Sequence, residues 1–74
     1  MRILVVEDDP MLGKAIKNAL ENENNVVDLM VDAESGESAL STASFEILIL
    51  DINLPDKSGL EVLKSIRSAG YLIG

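Results

Sequence analysis

Two acidic clusters follow directly on short apolar runs. Glu7, Asp8 and Asp9 come after Ile3-Leu4-Val5-Val6, and Asp51 comes after Ile47-Leu48-Ile49-Leu50. If those runs are neighbouring strands of one parallel sheet, Glu7, Asp8 and Asp51 converge on one edge. Two unit charges about 5 Å apart repel by roughly 3 kcal/mol at an effective dielectric near 20. A hard divalent cation answers that repulsion, since Mg²⁺ takes one or two carboxylates, a carbonyl and several waters. With such a metal, one carboxylate can attack phosphorus and form an acyl phosphate. Asp9 has a plainer reading. With Pro10 behind it, it is a helix N-cap followed by proline at the first helical position, and an acid is favoured there.

The rest of the composition narrows the chemistry to carboxylates, a few cations, hydroxyls and backbone. The chain has 74 residues, with no Cys, no His and no Trp. Disulfides, thiolate nucleophiles, imidazole bases and the common zinc sites are therefore excluded. Six basic against 13 acidic residues leave a net charge of −7. That argues against a surface that neutralises nucleic-acid phosphates or anionic lipid headgroups. One Tyr and one Phe give no stacking platform for single strands. No apolar run approaches the ~20 residues of a membrane span, and the apolar start is too short for a signal-peptide core. The expectation is a soluble cytoplasmic protein with no direct nucleic-acid or membrane contact.

The elements that must position the acids follow from periodicity. Ile3–Val6 and Ile47–Leu50 are continuous, apolar and rich in β-branched residues, as strands buried on both faces are. Val26–Val31 reads as another strand, with Asp28 marking it as an edge. Leu12, Ala15, Ile16, Ala19 and Leu20 recur at helical spacing, with Leu12, Ile16 and Leu20 assigned to the core and Asn24-Asn25 ending that helix. A short helix is expected from about Ser35 to Ala43, turning Ala39, Leu40 and Ala43 inward. Ser58-Gly59-Leu60-Glu61 reads as a capping box for a third helix with Leu60, Leu63 and Ile66 on one stripe, Leu63 and Ile66 assigned to the core, Val62 beside it, and Gly70 at its end. Strand–helix three times over predicts an α/β fold with a parallel sheet, and such sheets bind ligands beyond the carboxyl ends of their strands.

These residues carry a resemblance. Ile3-Leu4-Val5-Val6-Glu7-Asp8-Asp9, Ala33 with Gly36 and Ala39-Leu40, Ile47 to Pro55, and Ser58-Gly59-Leu60-Glu61 together resemble the receiver domain of bacterial two-component response regulators. The acidic pair and the spacing of Asp51, Pro55 and Gly59 are its most specific features, and the wording is most similar to the subclass with a winged-helix DNA-binding output. The resemblance implies a flavodoxin-like, doubly wound sheet of strand order 2-1-3 over this part of the fold. It implies that Asp51 is the phosphoacceptor, taking its phosphoryl group from a sensor histidine kinase. It implies Mg²⁺ held by Asp8 directly, Glu7 mainly through water, Asp51 itself and the backbone carbonyl of Asn53. Pro55 and Gly59 shape the loop, with Gly59 permitting close approach at the helix start. Lys57 is read as a solvated loop lysine.

The family fold carries two further strand–helix units. Residues 1–74 are accordingly read as an incomplete receiver domain, without the Ser/Thr and Lys that in the family contact the phosphoryl group. Either a longer regulator has been shortened, or the gene product is short. On this reading the module is a switch and not a turnover enzyme, and the exposed edge of the Ile47–Leu50 strand is expected to join copies of the chain into a homo-oligomer. Two other functions compete. One is an interaction-only receiver fragment that accepts no phosphate. The other is an Mg²⁺-dependent aspartyl phosphotransferase, disfavoured because the position two after Asp51 is Asn53 and not a second acid.

Overall fold

The computed structural model describes residues 1–68, and Gly70 and Tyr71–Ile73 lie outside the described residues. Strand β1 (Arg2–Val6) is the centre of the sheet. It pairs in parallel with β2 (Val26–Met30) on one side and β3 (Ile47–Leu50) on the other, giving the order β2-β1-β3. Its register sets Val6 beside both Met30 and Leu50, so all three strands end at the same level.

The apolar character of β1 follows from that place. Side chains alternate across a strand. Leu4 and Val6 enter a core with Ala33, Ala39, Leu40, Phe45, Leu54, Val62 and Ile66. Ile3 and Val5 enter a second core on the opposite face with Val27, flanked by Ile16, Leu20, Leu29, Ile47 and Ile49. Each such buried aliphatic side chain is worth about 1.5–3 kcal/mol of transfer free energy. Helix α1 (Pro10–Glu21) covers the second core. Helices α2 (Ala33–Thr42) and α3 (Gly59–Ser68) cover the first. Helices on both faces of a parallel sheet make this the flavodoxin-like, doubly wound arrangement expected from the sequence.

The local signals hold with instructive shifts. Asp9 caps α1, accepting from the Met11 and Leu12 amides at 3.0 and 3.3 Å, with Pro10 in the first turn. Asn24 takes the left-handed conformation, φ 67°, and Asn25 donates to the Leu20 carbonyl, so this asparagine pair does terminate α1. Helix α2 starts two residues earlier than expected, at Ala33, because Asp32 is its N-cap. The capping box on α3 does not form among the described residues: the Ser58 hydroxyl accepts from the Leu60 N–H at 3.1 Å, a simple N-cap bond, while the Glu61 N–H donates to the Ser58 carbonyl.

One assignment to the core is corrected: Leu12 is 49% exposed. Leu60, on the α3 stripe, is 61% exposed, and Ala15 and Ala19 also face outward. The sheet meets α1 along one narrow seam of Gly13, Ile16 and Leu20, and α3 along Gly59, Val62 and Ile66. Periodicity marks an apolar stripe, but the seam is narrower than the stripe.

Candidate functional site

The strand ends build the site. Glu7 N–H donates to the Met30 carbonyl at 2.9 Å and Asp51 N–H to the Val6 carbonyl at 3.0 Å. Sheet pairing therefore continues one residue past each strand and fixes the backbone of Glu7 and Asp51. Asp8, the next residue, stands exposed above the edge. One ligand oxygen from each of Glu7, Asp8 and Asp51 lies within 4.8 Å of the others. The three acids singled out in the sequence are thus brought together.

The electrostatics match that crowding. Asp9 N–H donates to Glu7 Oε2 at 3.1 Å, which lowers the Glu7 carboxyl. Partial desolvation and the neighbouring Asp8 and Asp51 carboxylates outweigh it, and the Glu7 carboxyl is held above its ordinary value. The ion pairs among the described residues, Arg2–Asp28 and Lys57–Glu37, leave these three acids without a cationic partner. A cluster of oxygens without a cation, open to water and held by backbone, has the donor chemistry of a hard divalent ion that keeps several waters.

The loop after β3 is tied back to Asp51. Asn53 N–H donates to Asp51 Oδ1 at 3.2 Å, and Asn53 pairs with Ser58 in an antiparallel bridge. Leu54 is buried in the α2/α3 core, so the loop is rooted between Asn53 and Pro55. Gly59 closes the turn, its N–H donating to the Ile52 carbonyl at 2.8 Å. A Cβ on Gly59 would lie 2.2 Å from the Asp51 carbonyl oxygen. The close approach expected of this glycine is thus made against the backbone of the acid itself. Lys57 is not a free solvated lysine. It meets Glu37 of α2 at 2.7 Å, and that carboxylate holds its ammonium above the usual lysine value. Asp56 accepts from two α2 amides, those of Ala33 and Glu34. Its only sequence signal was an acid after proline in a turn.

The fold is thus a parallel, doubly wound α/β sheet with a three-carboxylate cluster at the carboxyl ends of its strands. Residues 3–73 match the model of the response regulator receiver domain, and the chain belongs to that family. It is 44% identical over 72 residues to the response regulator protein PmrA of Pseudomonas aeruginosa, covering 97% of this chain and 33% of that protein. It is 43% identical over 70 residues to the transcriptional regulatory protein DltR of Streptococcus agalactiae, covering 95% of this chain and 31% of that protein. Its fold superposes with a TM-score of 0.89 and 35% identity on the response regulator TrrA of Thermotoga maritima, solved in complex with Mg²⁺-BeF, covering 93% of this chain and 60% of that one. The chain spans about a third of the length of the curated relatives it matches. Homologues of this receiver are transcriptional regulators, and receiver domains are signalling proteins.

Proposed function

We propose that this chain is the phosphoacceptor part of a two-component response regulator, with Asp51 as the acceptor and Mg²⁺ bound by Glu7, Asp8, Asp51 and the Asn53 carbonyl. The observation that carries the reading is the convergence of three carboxylates from two strand ends within 4.8 Å. The donor is a sensor histidine kinase. The Asp51 carboxylate attacks phosphorus as the P–N bond of the phosphohistidine breaks, the imidazole leaves, and an acyl phosphate forms. Bound Mg²⁺ would neutralise charge on the phosphoryl oxygens. Sheet pairing through the Asp51 amide holds the nucleophile in place. Residues 1–74 act as one incomplete receiver unit whose output in the intact protein is transcription, and the module works in the cytoplasm. Taken by itself, the 74-residue chain associates through β3, which pairs only with β1 among the described residues.

Calorimetric titration with Mg²⁺, with and without beryllofluoride, tests this. Binding should be weak, tighten with beryllofluoride, and vanish in Asp51→Asn. Undiminished binding in that variant would place the metal elsewhere. Mg²⁺ binding without any response to beryllofluoride would favour an interaction-only receiver.

A further inference from the structure

The first turn of α2 receives two carboxylates. Asp32, its own N-cap, accepts from the Ser35 N–H at 2.8 Å. Asp56, from the loop between β3 and α3, accepts from the Ala33 N–H through Oδ1 at 2.8 Å and from the Glu34 N–H through Oδ2 at 2.9 Å. Gly36 N–H donates to the Asp32 carbonyl at 3.1 Å. The amides of the first three helical residues, which a helix start leaves open, are thereby satisfied, two of them by a residue remote in the chain. The dipole of α2 favours the Asp56 charge as well.

The same loop carries Asn53, three residues before Asp56. Its base is closed by the Asn53–Ser58 bridge and by Leu54 in the core cluster that also holds Ala33. Its tip is held by Asp56 and, one residue on, by the Lys57–Glu37 pair. The exposed, proline-containing segment between base and tip is therefore clamped at both ends.

We propose that Asp56 is a positioning residue: its two-pronged bond to the α2 amides sets the loop that presents the Asn53 carbonyl, and so couples metal affinity at the acidic cluster to the placement of α2. The inference rests on the metal-binding reading of Glu7, Asp8, Asp51 and Asn53 given above. A metal site loosened by about 1 Å loses much of its preorganisation. The coupling is reciprocal by linkage: whatever factor the clamp contributes to metal affinity, the metal contributes to the clamp.

Asp56→Asn and Asp56→Ala both remove one negative charge, so the long-range attraction for a cation falls equally in the two. Asn keeps one oxygen acceptor and Ala keeps none. Mg²⁺ titration of the full chain, followed by amide NMR, should give the affinity order wild type, Asp56→Asn, Asp56→Ala. The last step should be about three- to tenfold, the weight of one hydrogen bond. Equal affinities in the two variants would overturn the proposal, because charge alone would then explain the loss. Glu37→Gln, which leaves both amide bonds in place, should stay within about twofold of wild type, as an exposed pair does. A loss as large as that of Asp56→Ala would also overturn it. The wild-type chain gives a reading that needs no variant. Mg²⁺ should shift the Ala33 and Glu34 amide resonances along with those of Asp51 and Asn53. If Asp51 and Asn53 respond while Ala33 and Glu34 stay still, the coupling fails and the metal site stands. If none of the four responds, both fall.

Discussion

Three glycines sit under neighbouring atoms, and two of them make a matched test of how the phosphoacceptor loop is packed. Gly13 and Gly59 are both buried helical residues. Replacing either with alanine removes backbone freedom from the unfolded chain and gains up to about 1 kcal/mol of helix propensity. What differs is the neighbour. A Cβ at position 13 would meet the Leu29 methyls at 3.1 and 3.3 Å, and Leu29 is only partly buried, so its side chain can turn aside. A Cβ at position 59 would meet the Asp51 carbonyl oxygen at 2.2 Å and the Ile52 Cα at 2.9 Å. Those atoms are backbone, fixed by the sheet bond from Asp51 N–H to Val6. Overpacking costs about 1–3 kcal/mol where side chains can yield, and here the start of α3 must move. Gly13→Ala should therefore be neutral or stabilising by up to about 0.5–1 kcal/mol. Gly59→Ala should lose about 2 kcal/mol net, a fall in Tm of roughly 8–16 °C for a domain of this size. Circular dichroism melts of the two variants beside wild type read this directly. A Gly59→Ala protein as stable as Gly13→Ala would refute the reasoning, because it would mean that α3 can leave the Asp51 backbone at no cost.

Other outcomes follow from the same contacts. Ile66→Ala should cost about 2–5 kcal/mol and Leu60→Ala under about 0.5, since one is buried and the other faces water; urea unfolding midpoints check the ratio. The Asp56 carboxyl is held below its ordinary value, first by the Ala33 N–H and then, against some desolvation, by the Glu34 N–H. A depressed folded-state pKa gives stability that is present above the ordinary carboxyl pKa and lost as pH falls through the folded-state value. The Tm gap between wild type and Asp56→Asn should therefore shrink as pH is lowered below about 4, and a gap constant down to about pH 2 would show that the charge is not what α2 recognises. Arg2→Ala removes a half-exposed pair with Asp28 at 2.8 Å and a cation–π contact 5.0 Å from the Phe45 centroid; it should cost under about 1 kcal/mol, with the pair's share fading in high salt. Size-exclusion chromatography with light scattering should show the 74-residue chain as more than a monomer, and a monomer with one sharp cooperative melt would remove the case for pairing through β3.

Much of this was legible in the residues. The apolar runs Ile3–Val6 and Ile47–Leu50 read as strands of one sheet, and an acid at the end of each puts Glu7, Asp8 and Asp51 on one edge; Ile3–Val6 is buried on both faces as its composition implies, while Ile47–Leu50, with only one neighbouring strand among the described residues, is half-buried. Asp9 as a cap followed from Pro10, and Gly59 as a close approach followed from its spacing to Asp51. Helical spacing reports which side chains could share a face, but not how wide a strip the sheet actually covers, so Leu12 does not reach the core and Leu60 on the α3 stripe faces water. The roles of Asp56 and Lys57 depend on which helix lies across from the loop. Nothing within a few residues of either encodes the Ala33 and Glu34 amides or Glu37.

The alternation along β1 has a consequence for how the molecule tolerates change. Leu4 and Val6 belong to one hydrophobic cluster and Ile3 and Val5 to another, with the sheet as the partition between them. The α1 side and the α2/α3 side are two separate compartments that share only a backbone. Volume lost in one cannot be refilled from the other, so paired substitutions across the partition should add, while pairs within one side should interact. The acidic edge sits at the rim of that partition, where Val6 hands over to Glu7. A disturbance in either compartment reaches the same few atoms there.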